Sequence, residues 1–84
     1  MLNISTELDR RSHKPLYIQL CEIIIDYANE HHLENGDTLP SENELIARFN
    51  VSRHTIRLAA DRLVQLGAAK KIRGQGTFFI KKKK

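Results

Sequence analysis

The sequence holds one cysteine, two prolines, five aromatic residues and no tryptophan in 84 residues. The lone Cys21 excludes an internal disulfide framework and fits a reducing compartment. No apolar run approaches the roughly 18 residues that a membrane span needs. The opening MLNISTELDRRSHK lacks the apolar middle region of a secretory signal, so a cytoplasmic location is expected. His31 and His32 are adjacent, and on a helix their side chains diverge by about 100°. No spaced Cys/His set accompanies them, which argues against a metal site. Paired carboxylates, a nucleophile with its base and a phosphate loop are all missing; GQGT follows no strand-to-helix transition of the nucleotide-binding kind. These absences point to a chain that is not an enzyme and needs no cofactor or metal. The scarce aromatics fall mostly at core-like positions, which disfavours base stacking on RNA or single strands.

What is present is charge, unevenly spread. The length suits one domain with a modest core. Residues 1–42 carry three Lys/Arg against eight Asp/Glu, a net of −5, whereas residues 43–84 carry eleven against two, a net of +9; together they give +4. Without the four terminal lysines the second half is still +5. Such polarity implies that the C-terminal half faces a polyanion.

Along the chain, residues 1–13 are polar and aperiodic and are expected to form a flexible N-terminal arm. A domain over 14–80 follows, and 81–84 form a basic tail or the start of a linker. A first helix is expected from Lys14 or Pro15, since proline suits the first helical position. Leu16, Leu20, Ile23, Ile24 and Tyr27 line its buried face, widened by Tyr17, Cys21 and Ala28. It should end between His31 and Asn35, with Glu34-Asn35-Gly36 as the stop. GDTLP reads as an extended connector, because the residue before proline avoids helical geometry. Ser41 and Glu44 form a capping box for a second helix, Glu42 to Phe49, that buries Leu45, Ile46 and Phe49. Asn50-Val51-Ser52 is a tight turn, and Ser52 caps a third helix with Ile56, Ala59, Ala60, Leu63 and Leu66 on one face. Gly67 is its stop. AAKKIR and TFFIKK bracket GQG as a hairpin, with Ile72, Phe78 and Ile80 inward and Phe79 blurring the alternation. The fold class is mainly α with a small β-hairpin wing: a winged helix-turn-helix of three helices plus a two- or three-stranded antiparallel sheet.

The stretch NVSRHTIRLAADRL places Arg53, His54, Thr55 and Arg57 at a helix entrance, where the dipole disfavours positive charge by about 0.3–1 kcal/mol each. A short turn between crossing helices projects that entrance outward, and a B-form major groove admits it. One bidentate arginine–guanine contact is worth about 1–3 kcal/mol of base discrimination, enough to outweigh the repulsion. The tip RGQGT adds Gly74 and Gly76, which permit close backbone approach. Flanked by Lys70, Lys71 and Arg73, it suits a minor groove and its phosphates.

PLYIQL, GDTLPSENELIARFNVSRHTIRLAADRL and GAAKKIRGQGTFF together resemble the N-terminal DNA-binding domain of GntR-type bacterial transcription regulators over about residues 15–79, with a lean toward the HutC-like branch. The resemblance implies major-groove contacts from Ser52, Arg53, His54, Thr55 and Arg57. It also implies wing contacts from Gly74, Gln75 and Gly76, with Thr77 near a phosphate. Where family members commonly carry arginine after PSE, this chain has Asn43, so a contact from Ser41 and Asn43 at the second-helix entrance is in question. The usual Pro-Gly before the second helix is Asn35-Gly36, and a usual acid late in the third is Gln65. The resemblance further implies a repressor with a C-terminal effector-binding domain outside this chain. Its partner would be double-stranded DNA with a two-fold symmetric operator. It would bind as a homodimer and be a monomer or weak dimer alone. The alternative is a winged helix that docks a protein partner.

Overall fold

The computed structural model describes residues 4–81. Three helices, α1 (Leu16–Glu30), α2 (Glu42–Phe49) and α3 (Arg53–Gln65), precede a two-stranded antiparallel sheet of β1 (Ala69–Ile72) and β2 (Gly76–Phe79). This is the winged helix-turn-helix expected from the element order.

Pro15 caps α1 from outside its first turn: ψ is 148°, and its carbonyl accepts from the Ile18 and Gln19 amides. The helix stops at Glu30, before the expected Glu34-Asn35-Gly36 signal. His32 adopts a left-handed φ of 54°, and the His32 and Leu33 amides return to the carbonyls of Asn29 and Ala28 at 3.2 and 2.9 Å. That double closure normally uses glycine; here histidine supplies it. Asn35-Gly36 instead belongs to a second turn, closed by the Asp37 amide on the Glu34 carbonyl at 3.0 Å. The turn lays GDTLP along β2. Gly36 N–H donates to Phe79 O, Phe79 N–H to Asp37 O and Leu39 N–H to Thr77 O, with a single bridge between Thr38 and Phe78. The expected connector is therefore also the sheet's outer neighbour.

Both short-range caps form as their residues dictate. Ser41 accepts from Glu44 N–H and the Glu44 carboxylate accepts from Ser41 N–H, at 3.1 and 3.0 Å. Asn50 takes the left-handed conformation (φ 53°) that turns the chain out of α2, and Ser52 accepts from Thr55 N–H at 3.2 Å. At the far end of α3, Gly67 (φ 73°) lets its own amide and that of Ala68 close on Val64 and Leu63. Leu66, expected on the buried face, is 41% exposed; as the C-cap it lies past the last turn that the core covers.

The core joins α1 to α3, with Leu20, Ile56 and Leu63 fully buried and Cys21, Ile23, Ile24, Leu45, Phe49 and Ala59 around them. The hairpin closes it differently from expectation. Ala69 pairs with Phe79 in the sheet register, and both are buried. Ile72, Phe78 and Ile80 are half-buried and share the outer face with Lys70. Period-two alternation lets only one of Phe78 and Phe79 point inward. The small Ala69 opposite leaves room for the Phe79 ring.

Residues 4–13 do not behave as a loose arm. Ile4 and Leu8 pack against the core. Buried Gln19 accepts from Asp9 N–H at 2.8 Å and donates to the carbonyls of Asp9 and Lys14 at 2.9 Å each. Arg48 donates to the carbonyls of Ile4 and Thr6 and pairs with Glu7 at 2.7 Å. Arg10 donates to the carbonyls of Phe49 and Asn50. Polar side chains thus supply the anchorage that apolar periodicity does not reveal. Residues 1–3 of the expected arm lie outside the described residues. At the other end Lys81 N–H donates to Asn35 Oδ1 and its ammonium pairs with Glu34 at 3.6 Å; the rest of the expected basic tail, 82–84, also lies outside.

Candidate nucleic-acid interface

A groove of about 520 Å³ runs between α3 and the hairpin, lined by Ser41, Glu42, Arg57, Asp61, Lys71, Ile72, Arg73, Gly74, Gly76 and Thr77. Its position follows from the turn at Asn50, which sets α3 across α2 and leaves the exposed side of α3 facing the wing. Arg57 and the glycine-bearing tip thus share one side of the molecule.

The hairpin tip is built by Ile72, whose carbonyl accepts from Gln75 N–H at 3.0 Å. Gly74 at the third turn position has φ 79°, the signature of a type II turn, and Gly76 has φ 118°. A Cβ at either would meet nothing within 4 Å. The glycines are therefore required by backbone conformation and not by crowding within the protein, and the space beside them is open to another surface.

The residues singled out in the sequence fall in three places: the groove, the outer side of the hairpin, and the entrances of α2 and α3. Ser41, Arg57, Lys71, Arg73, Gly74, Gly76 and Thr77 line the groove. Lys70 and Gln75 line the opposite, outer side of the hairpin with Phe78 and Ile80, and Ile72 borders both sides; alternation sends Lys70 and Lys71 to different faces. Ser52 and Thr55 are committed to the helix entrance, their hydroxyls 3.0 Å apart. His54 is exposed beside them.

Arg53 is exposed but tied. Its guanidinium donates through Nη1 to Glu42 at 3.0 Å and through Nη2 to Asn43 Oδ1 at 2.8 Å, with 51% of the side chain still accessible. Asn43 therefore faces Arg53, and Ser41 is occupied by its capping box. Three groove residues stand outside the functional set read from the sequence: Ile72, expected in the core, and the acids Glu42 and Asp61. Asp61 lies 3.4 Å from the Lys71 ammonium, and its place four residues after Arg57 was the available signal. The two acids do not cancel the groove's charge, because three cations, Arg57, Lys71 and Arg73, line it against them.

Two titratable groups on α1 and α2 are shifted from their ordinary values. Two hydrogen bonds with Ser41, the backbone one first, hold the Glu44 carboxyl below its ordinary value. Burial pushes the Cys21 thiol up to about 11. Among the described residues no group of three or more His, Cys, Asp or Glu side chains could hold a metal ion, and no helix is long and apolar enough to cross a membrane.

Residues 16–79 match the family described as bacterial regulatory proteins, gntR family. The mannosyl-D-glycerate transport/metabolism system repressor MngR of Escherichia coli (strain K12) is 41% identical over 66 residues, covering 79% of this chain and 28% of its own length. The regulator YydK of Bacillus subtilis superposes with a TM-score of 0.77 at 41% identity, over 81% of this chain and 30% of that one. A crystal structure of AraR(DBD) in complex with operator ORE1 superposes with a TM-score of 0.76 at 36% identity, over 94% of this chain and 99% of that one. This chain thus spans less than a third of the length of the curated relatives it matches.

Proposed function

The chain belongs to the gntR family of bacterial regulatory proteins, and we propose that it reads a double-stranded operator as the DNA-binding unit of a cytoplasmic repressor. The observation that carries this reading is the shared groove: Arg57 on α3 and Arg73, Gly74 and Gly76 at the wing tip line one concavity. A duplex that seats the entrance of α3 in its major groove brings the neighbouring minor groove toward the bare tip. Arg53, His54 and Arg57 then face base edges from the entrance that Ser52 and Thr55 hold together, while Lys71, Arg73 and Thr77 approach phosphates. Operator binding by the structurally similar AraR(DBD) supports this assignment, as do the repressors among the relatives. Two copies would address a two-fold symmetric site one helical turn apart. Effector sensing and firm dimerisation would belong to the remainder of a longer protein, and this chain alone would be a monomer or weak dimer.

Gel shifts on selected and random duplexes at two salt concentrations test the division of labour. Arg57→Ala should lose about 1–3 kcal/mol of discrimination between the two. Lys71→Ala should weaken both duplexes alike and lower the salt slope by about one. Equal loss on both duplexes for both variants would sink the assignment.

A further inference from the structure

The entrance of α2 holds a side chain whose partner decides what it does. Asn43 is the second residue of α2, exposed and beside the projecting entrance of α3. Its Oδ1 accepts from Arg53 Nη2 at 2.8 Å while the Glu42 carboxylate takes Nη1 at 3.0 Å. Both ends of the guanidinium are thus engaged by two neighbouring residues of another helix. A guanidinium carries five N–H donors in a rigid plane; two are used here and three remain. Fixing two ends of a planar fork fixes its plane, and the remaining donors then meet base edges in one orientation.

Resting on the proposed operator-reading role, we propose that Asn43 is a positioning residue that sets the base selectivity of Arg53 without itself specifying a base. Glu42 offsets the charge of Arg53 at the positive end of α3. A carboxylate alone would leave the guanidinium free to swing about one contact. The neutral carbonyl of Asn43 adds the second point without a further negative charge facing phosphates. Its amide must turn oxygen toward the guanidinium, since its own N–H donors would oppose Arg53 there.

The test is sequence selection from a random duplex library, scored position by position, for the wild-type chain and for Arg53→Ala, Asn43→Ala, the double variant and Asn43→Asp. Thermal unfolding of each variant checks that the fold is kept. Asn43→Ala and Arg53→Ala should relax the same base position in each half-site, Asn43→Ala by about tenfold, and the double variant should relax it no further than Arg53→Ala. Asn43→Asp keeps the acceptor, so it should retain the preference at that position while binding cognate and random duplexes more weakly. Relaxation at a different position, or additive loss in the double variant, would show Asn43 contacting DNA itself and overturn the proposal. A sharper preference or tighter binding in Asn43→Ala would show the clamp withholding Arg53, and would equally overturn it. If the wild-type chain selects no sequence, the operator-reading role fails first and the proposal falls with it; selection by the wild type with an unchanged Asn43→Ala profile removes only the proposal.

Discussion

Cys21 and Gln19 sit two positions apart on α1, and both are buried. The thiol donates to the Ala59 carbonyl at 3.2 Å, tying α1 to α3, and burial lifts it to about 11. Thiolate is the reactive form, so native protein at pH 8 should resist alkylation while urea-unfolded protein reacts readily. A native rate near the unfolded one would contradict the buried thiol. Sequence identified Cys21 correctly as a helix residue packed among apolar neighbours, because small size and helical spacing both point that way. Gln19 was overlooked. Its three bonds to Asp9 and Lys14 are made to backbone atoms, and no sequence pattern marks which glutamine will meet a main chain ten residues away. Arg53 shows the same blind spot at the entrance of α3. Its outward placement follows from helical periodicity, but its ties to Glu42 and Asn43 depend on the crossing of two helices.

At the scale of elements, the caps are the most legible features because their chemistry is confined to four residues. Ser41→Ala should cost about 1 kcal/mol, measurable by urea unfolding. The partner residue adds a pH dependence of definite sign. Glu44 stays ionised in the fold below its ordinary value of 4.5, since the Ser41 bonds favour the charged form. Its contribution is complete above about that value and fades as pH falls through the lower, folded one. Glu44→Gln retains an acceptor for the Ser41 amide, so the stability difference between variant and wild type should change between pH 6 and 3. A difference constant across that window would show the carboxylate to be free of the cap. Less legible are endings decided outside their own element. His32 closes α1 in a conformation usually left to glycine, which is why Glu34-Asn35-Gly36 looked like the stop. The hairpin offered adjacent Phe78 and Phe79. Only the pairing of Ala69 with Phe79 decides between them, and that pairing is a cross-strand fact.

For the whole molecule, the segment over residues 4–14 acts as a strap across the helices and not as a tail. Arg48 holds Ile4, Thr6 and Glu7, Gln19 holds Asp9 and Lys14, and Arg10 reaches the carbonyls of Phe49 and Asn50. The last contact lies at the turn just before Ser52, so the strap braces the joint that sets α3 across α2. A charged donor to a backbone carbonyl contributes about 1.5–3 kcal/mol when well made, less for exposed members such as the bond to Asn50. Small domains have only about 5–15 kcal/mol in total. Arg48→Ala should therefore lose about 2 kcal/mol, lowering Tm by roughly 10 °C in a domain of this size. Arg10→Ala should cost less globally, yet speed amide exchange at Asn50, whose N–H closes on Ile46 at 2.9 Å, more than in the middle of α1. Urea and thermal unfolding of Arg48→Ala, with exchange mapped on Arg10→Ala, measure the two effects separately. An unchanged midpoint together with unchanged exchange at the turn would mean that the strap merely lies on the surface, and that α2 and α3 hold their crossing without it.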